Sequence, residues 1–592
     1  MRIRPLSQEK YLQLLRTAKN QAAATVWIRG GKVLDVFLKE WREAHVVLAG
    51  ERIAYIGERE PLVDEHTEII DATGSYLVPG YIEPHAHPFQ WYNPFNLNDY
   101  ALARGTTTMI ADNLFLFNSL PFEEVTQIMD LLSGHPVKQY FWARLDPQSQ
   151  KIEKKARYTK DQLTQMLAHP LVIQAGELTD WGGILAEQEE LIHGMMKARE
   201  LGKRIEGHHP GASWDTLNIA AAAGVTACHE SINVDELINR LRLGLYVTLR
   251  HSSIRPDLPV LIQGIRERQI PWSSRFMLTS DGSTPPMMGK GFMDYTIRVA
   301  IEAGAPATEA YVMATLNPAT YYGLDAEIGS ITPGRIADIL MLSAPENPVP
   351  HTVMANGKVW SRNQQLVQKP LNVDLSQFSF ENRSDDWLMQ ASADWFDFVH
   401  PDTEISVIEM LNAVITKPAM EKLPRDSDGF ISLEHDPSLC YVFLLDTHSR
   451  RITRAVLRGF GENIDALAST YTASGDWIVL GRDKVQIAEA IRHLNRMNGG
   501  IVLLNQGRIE FEQRLPISGM VSQEPMAVLV EKGEEFCEFL RKKGHKHIDP
   551  IYSLLFITAT HLPFIRLMDE GIYDVKKRKI IVPSSQLDTL PN

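Results

Sequence analysis

The chain has 592 residues and a mass of 66.8 kDa, too long for one ordinary core, so two or three domains are expected. Hydrophobic residues make up 44% and charged residues 22%, the balance of a soluble globular protein. A formal net charge of −13 argues against a nucleic-acid backbone or an anionic membrane as main partner.

Residues 1–20 lack an apolar export core and read as an amphipathic helix, within an N-terminal segment 1–23. Ser7 is its expected N-cap, Glu9 sits in the first turn, and Tyr11, Leu12, Leu14, Leu15 and Ala18 form the apolar stripe. From 24 to 77 short strands are expected at 26–28, 46–48 and 53–56, with a turn at Gly50-Glu51. A matching piece comes at 325–370, with strands at 337–341 and 353–360. The two pieces are read as one small discontinuous β domain, an interruption made cheap because domain termini often lie close together.

Between them, residues 78–324 alternate. Strands are expected at 81–83, 106–110, 139–143, 171–175, 204–206, 225–227, 245–249 and 275–278. Helices are expected at 122–132, 187–199, 214–222, 234–241, 259–268 and 293–303. Eight short strands with interposed helices are the arithmetic of a TIM-like (β/α)8 barrel. An open doubly wound sheet competes, but no Gly-rich dinucleotide turn follows the first strand. Beyond 370 the chain reads as a polar linker, 371–386, leading into a C-terminal α/β domain that extends to 592. Strands are expected there at 441–445, 477–480 and 501–504, with a helix at 484–497 presenting Val485, Ala488, Ile491, Leu494 and Met497 on one face. The most apolar run, 551–565, contains Thr558, Thr560, His561 and Pro563 and is shorter than the ~18 residues of a membrane span. Cys228, Cys440 and Cys537 form neither a metal pair nor a disulfide framework, which suits a reducing cytoplasm.

Barrels of this kind carry chemistry just past the C-terminal ends of their strands. There the chain places His85 and His87 after the first strand, Glu177 after the fourth, and His208 and His209 after the fifth. His229 and Glu230 follow the sixth, His251 the seventh and Asp281 the eighth. An isolated His-x-His is more often a pair of solvated loop residues; four strands of one barrel ending in histidine point instead to a metal site. Imidazoles and carboxylates without thiolate suit Zn, Mn or Fe. His85, His87, Glu177, His208, His229 and Asp281 exceed what one ion needs, so two ions bridged by Glu177 are expected, lowering the pKa of a shared water to about 7. Glu230 and Asp281 are the acid/base candidates.

These residues carry a resemblance. Val78-Pro79-Gly80-Tyr81-Ile82-Glu83 with His85-Ala86-His87, then Gly105-Thr106-Thr107-Thr108, Thr315-Leu316-Asn317-Pro318-Ala319 and Gly334-Arg335-Ile336-Ala337-Asp338, resemble the amidohydrolase superfamily. Glu206-Gly207-His208-His209-Pro210-Gly211, Cys228-His229-Glu230 and Leu515-Pro516-Ile517-Ser518-Gly519-Met520-Val521-Ser522 are similar to the adenine deaminase family, of which the chain looks like a divergent member. The resemblance implies a (β/α)8 hydrolase with metal on His85, His87, His208 and His229, and with Glu177 in the bridging place. It implies that Glu230 protonates a ring nitrogen while metal hydroxide attacks the amino-bearing carbon, giving hypoxanthine and ammonia. Manganese or iron is favoured over zinc, and a purine base is the expected partner of a cytoplasmic homo-oligomer.

The chain departs from the family at Ser280-Asp281, where two aspartates are usual, and at Arg250-His251, where Arg-Glu is usual. It departs again at Ala473-Ser474-Gly475-Asp476, within the stretch that usually carries His-Asp-x-His. The substrate shell is therefore expected to differ, leaving another purine, a cyclic amidine or a cyclic amide as alternatives. A non-catalytic barrel is the remote one. His209 competes with His208 as ligand, motif position favouring His208, and Cys228 reads as a small buried residue. Phe89, Trp91, Tyr92, Phe95 and Trp181 either stack on a flat heterocycle or pack under loops. Trp91, Trp181 and His251 are the expected substrate contacts.

Overall fold

The computed structural model describes residues 6–400, 402 and 404–587. At its centre eight strands run in chain order around a (β/α)8 barrel: Tyr81–Ala86, Thr106–Asp112, Lys138–Ala143, Val172–Leu178, Arg204–Gly207, Ala227–Cys228, Tyr246–Arg250 and Phe276–Thr279. Every neighbouring pair is parallel. Helices cover the outer face, so the strands are buried on both sides and read as near-continuous apolar runs.

The eighth strand returns to the first through Glu83. This carboxylate, 0% exposed, accepts from Thr279 Oγ1 at 2.6 Å, Ser280 N at 2.8 Å, Ser280 Oγ at 2.7 Å and His85 N at 2.9 Å. A single parallel bridge, Ala86 to Asp281, completes the seam. A buried carboxylate needs that many donors to offset its desolvation. This closure decides between a barrel and an open sheet.

The flanking β structure consists of two sheets. One orders its strands Arg52–Gly57, His45–Ala49, Val26–Arg29, Glu68–Asp71. The other has seven strands, and at its middle Ile339–Leu342 pairs antiparallel with Tyr76–Pro79. Pieces of chain more than 250 residues apart (340 against 78) therefore share one sheet. Gly80 joins that sheet to the first barrel strand. A Cβ there would lie 2.1 Å from Thr107 Oγ1, so only glycine lets the two strands approach.

The N-terminal helix spans Gln8–Ala18, and Ser7 accepts from Lys10 N at 3.3 Å as its cap. Residues 1–5 lie outside the described residues. Leu14 is buried against the four-stranded sheet, but Tyr11, Leu12 and Leu15 of the expected stripe are exposed, because the helix meets the sheet along one narrow line.

The segment after 370 is not a free linker. Leu375 and Phe378 are buried in the barrel's own apolar cluster, and Ser379 N donates to Glu124 at 2.8 Å. The C-terminal region builds a nine-stranded mixed sheet, with the helix Lys484–Arg496 packed on one face, and a three-stranded sheet. In that helix Ile487, Ala488, Ile491 and Leu494 are buried while Val485, expected inside, is exposed; it lies in the first turn, off the buried face. The apolar run 551–565 takes in all but the first residue of the short helix Pro550–Phe556 and the strand start at Ile565, and it lies over the barrel mouth. Among the described residues no helix is long and apolar enough to cross a membrane.

Candidate metal centre at the barrel mouth

Strand geometry delivers the ligand candidates. His85 and His87 sit two apart at the end of the first strand, and their Nε2 atoms are 3.2 Å apart. Asp281 Oδ1 is 3.5 Å from His85 Nε2 and 3.2 Å from His87 Nε2. On the other side, His208 Nδ1 and His229 Nε2 are 3.4 Å apart. Glu177 spans the two groups. Its Oε1 is 2.6 Å from His208 Nδ1 and 3.3 Å from His229 Nε2, while its Oε2 is 3.8 Å from His87 Nε2.

Other strands set the ring orientations. Glu206 lies between two histidines: Oε2 is 2.9 Å from His85 Nδ1, and Oε1 is 3.1 Å from His229 Nδ1. Gln174 Nε2 donates to the same carboxylate at 2.8 Å. His87 Nδ1 lies 2.8 Å from Asp112 Oδ2. A carboxylate can only accept, so these three Nδ1 atoms carry the proton, and with a cation bound each ring would be neutral and turn an Nε2 lone pair inward. Lone pairs 3.2 Å apart repel unless a cation sits among them. That donor set, imidazole nitrogens and carboxylate oxygens with three of the rings oriented by a second carboxylate, fits divalent metal. Among the described residues three groups lie close enough to share an ion: His85 with Glu177 and His229; His85 with His87 and Asp281; and His208 with His229 and Glu230.

Arginines and histidines hold the carboxylates ionised. Burial alone would raise Glu177, but the Arg144 guanidinium, 2.9 Å away, and His208 keep it well below the usual carboxylate range. Burial likewise works against Glu206, which His85 and His229 bring down to about 2. Glu230 is gripped by Arg250 at 2.6 and 3.0 Å and by Arg255 at 3.2 Å, and against its burial Arg250 and His208 hold it well below the usual range. It therefore has no proton to give at the outset and must take one up first. Arg250 also reaches Asp281 Oδ2 at 3.0 Å. Asp281 has a φ of 53°, a left-handed conformation that Asp tolerates better than most residues.

Of the expected site residues, His85, His87, Glu177, His208, His229, Glu230 and Asp281 converge here. His209 does not: it turns away, with Nδ1 3.4 Å from Cys228 Sγ and its ring 4.0 Å from Trp181. Cys228 packs outside the cluster, also touching Arg240 Nε at 3.3 Å. Trp181 lines the cavity and donates from Nε1 to His208 O at 2.7 Å, fixing the loop that carries that ligand. Two expected substrate contacts lie away from the cavity. Trp91 is 0% exposed, packed on Tyr471 and Phe536 of the C-terminal region and bridged to Val521, so it pins a loop instead of meeting a ligand. His251 faces Tyr295, and neither it nor Trp91 lines the cavity.

Sequence reasoning passed over Asp112, Arg144 and Glu206. Asp112 ends the second strand and Arg144 follows the third, so the strand-end rule applied to every strand would have reached both. Glu206 lies within the fifth strand, where no positional signal marks it. A cavity of about 1200 Å³ opens above the cluster. The barrel supplies its floor. The C-terminal region supplies its far wall, including Ala473, Asp476, Met520, Tyr552 and His561.

The chain matches the amidohydrolase family over residues 76–360 and the adenine deaminase C-terminal domain over residues 413–579. Two relatives bear the name "Putative adenine deaminase". That of Halalkalibacterium halodurans is 38% identical over 579 residues, covering 98% of this chain and 98% of its own. That of Bacillus subtilis is 36% identical over 563 residues, covering 95% of each.

Proposed function

We propose that this protein, which belongs to the adenine deaminase family of amidohydrolases, is a metal-dependent aminohydrolase converting adenine to hypoxanthine and ammonia. The observation that carries the reading is the convergence of inward-facing imidazole nitrogens on both oxygens of Glu177. His85, His87, Glu177 and Asp281 would hold one divalent ion, and Glu177, His208 and His229 a second, with manganese or iron ahead of zinc. Bound divalent ions supply Lewis acidity, which brings the pKa of water toward about 7.

The remaining work falls to this chain's side chains. Asp281 and Glu230 both start ionised and both touch Arg250, so each is positioned to accept a proton from the attacking water. Glu230 passes one proton to the ring nitrogen beside the reacting carbon. The carbon–oxygen bond forms, the carbon–nitrogen bond breaks, and the amino nitrogen leaves with the second proton as ammonia. Both water protons are accounted for, one on the ring and one on ammonia. The C-terminal wall keeps bulk water from the bound ring, so that the charges inside act in a less screened medium.

A second reading has one observation in its favour. The cavity of about 1200 Å³ exceeds the ~300–1,000 Å³ usual for small-molecule sites, which suits a larger purine, a cyclic amidine or a cyclic amide at the same centre. We place the protein in the cytoplasm as a homo-oligomer, a compartment consistent with three free buried cysteines. The test is ammonia and hypoxanthine release from adenine by manganese- or iron-loaded protein, with metal analysis of the same sample. Ion-loaded protein that releases no ammonia from adenine refutes the substrate, and turnover of a related ring in its place establishes the second reading.

A further inference from the structure

We infer that the C-terminal domain supplies two substrate-contacting side chains, Tyr552 and His561, so that the catalytic pocket is assembled from two domains. The inference rests on the proposed function and deepens it. The short helix Pro550–Phe556 is keyed to the barrel rim by Asp549. One oxygen of that carboxylate accepts from Ile551 N at 3.0 Å and Tyr552 N at 3.1 Å, and the other accepts from Thr284 Oγ1 at 2.6 Å. Thr284 lies three residues beyond Asp281, so the helix is registered against the very loop that carries the eighth-strand carboxylate.

That registration brings the Tyr552 hydroxyl to the metal cluster. A Cβ built on Gly282 would lie 2.2 Å from Tyr552 Oη and 3.3 Å from His87 Cδ2. The phenol oxygen thus rests on the Gly282 backbone, between Asp281 and the cavity, and glycine is what admits it. The ring is held by stacking on Phe556, centroids 5.0 Å apart and planes 3° from parallel. The residue is only 3% exposed, yet it lines the cavity. Neighbouring buried tyrosines spend their hydroxyls on the protein: Tyr92 donates to Ser283 O at 2.6 Å, and Tyr471 donates to Gln90. Among the described residues the Tyr552 hydroxyl makes no such hydrogen bond, and the residue lines the open cavity. A neutral phenol hydroxyl beside the reacting carbon is a donor for the oxygen or nitrogen on which charge builds.

His561 covers the opposite side. It lines the same cavity beside His208 and Glu177, and its Nδ1 is buried away from the open space, so any ring nitrogen offered to a ligand is Nε2. Tyr552 stands at the Asp281–His87 side and His561 at the Glu177–His208 side. A flat ring lying across the cluster with polar atoms on two edges, as in a purine or cyclic amidine, meets both.

The experiment compares Tyr552→Phe, His561→Asn, Gly282→Ala and the Tyr552→Phe/Gly282→Ala double variant with wild type, on whichever of adenine, other aminopurines or cyclic amidines wild type turns over. Bound metal and thermal midpoint are measured on the same samples. We expect Tyr552→Phe to lower kcat/KM by about 10-fold to 100-fold with metal and midpoint retained. His561→Asn should raise KM more than it lowers kcat. Gly282→Ala should resemble Tyr552→Phe, and the double variant should be no worse than either single, since both remove one contact. If Tyr552→Phe and His561→Asn both stay within twofold of wild type, the inference is overturned while the proposed function stands. Wild type that turns over none of these rings overturns the proposed function, and this inference with it.

Discussion

Replacing Glu206 isolates the part of the metal centre that the ligands themselves do not reveal. Its two oxygens orient His85 and His229, at 2.9 and 3.1 Å. A glutamine there keeps one accepting oxygen but offers an N–H₂ group to the second imidazole. That ring must then place its proton on Nε2, and one inward lone pair is lost. Losing an orienting partner costs about 10-fold to 100-fold in metal affinity, or about 1.4 to 2.8 kcal/mol at the usual 1.4 kcal/mol per tenfold. Glu206→Leu withdraws both acceptors, so its cost should approach the product of two such losses, about 10²-fold to 10⁴-fold. The assay is manganese affinity by competition with a fluorescent chelator, on chelator-stripped protein refilled with the ion. Circular dichroism confirms that each variant is folded. The expected order is wild type tightest, then Glu206→Gln, then Glu206→Leu. If both variants bind the ion as tightly as wild type, the tautomer argument is wrong, and with it the assignment of inward-facing lone pairs.

Glu230→Gln should lower kcat by about 10²-fold to 10⁴-fold with bound metal retained, as expected for a lost proton-transfer group; loss of metal instead would make Glu230 a ligand. His208→Ala should lose metal while His209→Gln keeps it, read by elemental analysis after chelator dialysis, because only His208 points into the cluster. Burial pushes His545, 5% exposed, down to about 4, from the ordinary ~6.5. Between those pH values the unfolded chain binds the proton and the folded one does not, so unfolding free energy should rise with pH across that window. The full penalty, roughly 3 kcal/mol, applies below it. Urea unfolding of metal-stripped wild type and His545→Gln at both ends of the window should show a smaller pH difference in the variant; equal differences would refute the assignment.

Much of the barrel could be read directly because its signals are local. Turn punctuation and runs of β-branched residues bounded the eight strands to within a few residues, and the residue past each strand end pointed at the site. The shortest strand was the least exact: 225–227 was expected, and Ala227–Cys228 forms the paired segment. Only two residues there find partners on both sides, and two residues carry almost no periodic signal. In the C-terminal region the strands Glu404–Met410 and Arg451–Arg458, with charged residues at or near their ends, were not expected; each pairs with a neighbouring hairpin strand, Thr416–Lys422 and Leu439–Asp446. The aromatic residues behind the first strand were the ambiguous ones. A tryptophan in a loop has no period to say which way it points, and for Trp91 the docking of Val521 decided.

By itself the sequence determined the strand ends, and with them which imidazoles and carboxylates stand at one rim. Side-chain direction along a strand alternates with a period of two, and that is written in adjacent residues. Tertiary structure alone decided which nitrogen of each ring faces inward, since the partners that settle it, Glu206 and Asp112, come from other strands. It also decided that Arg250 grips Glu230 and Asp281 together, and that Tyr552 and His561 reach the site from the far domain. Those contacts join residues up to several hundred positions apart. They exist only because barrel closure and domain docking bring the surfaces together, and no local pattern encodes that juxtaposition.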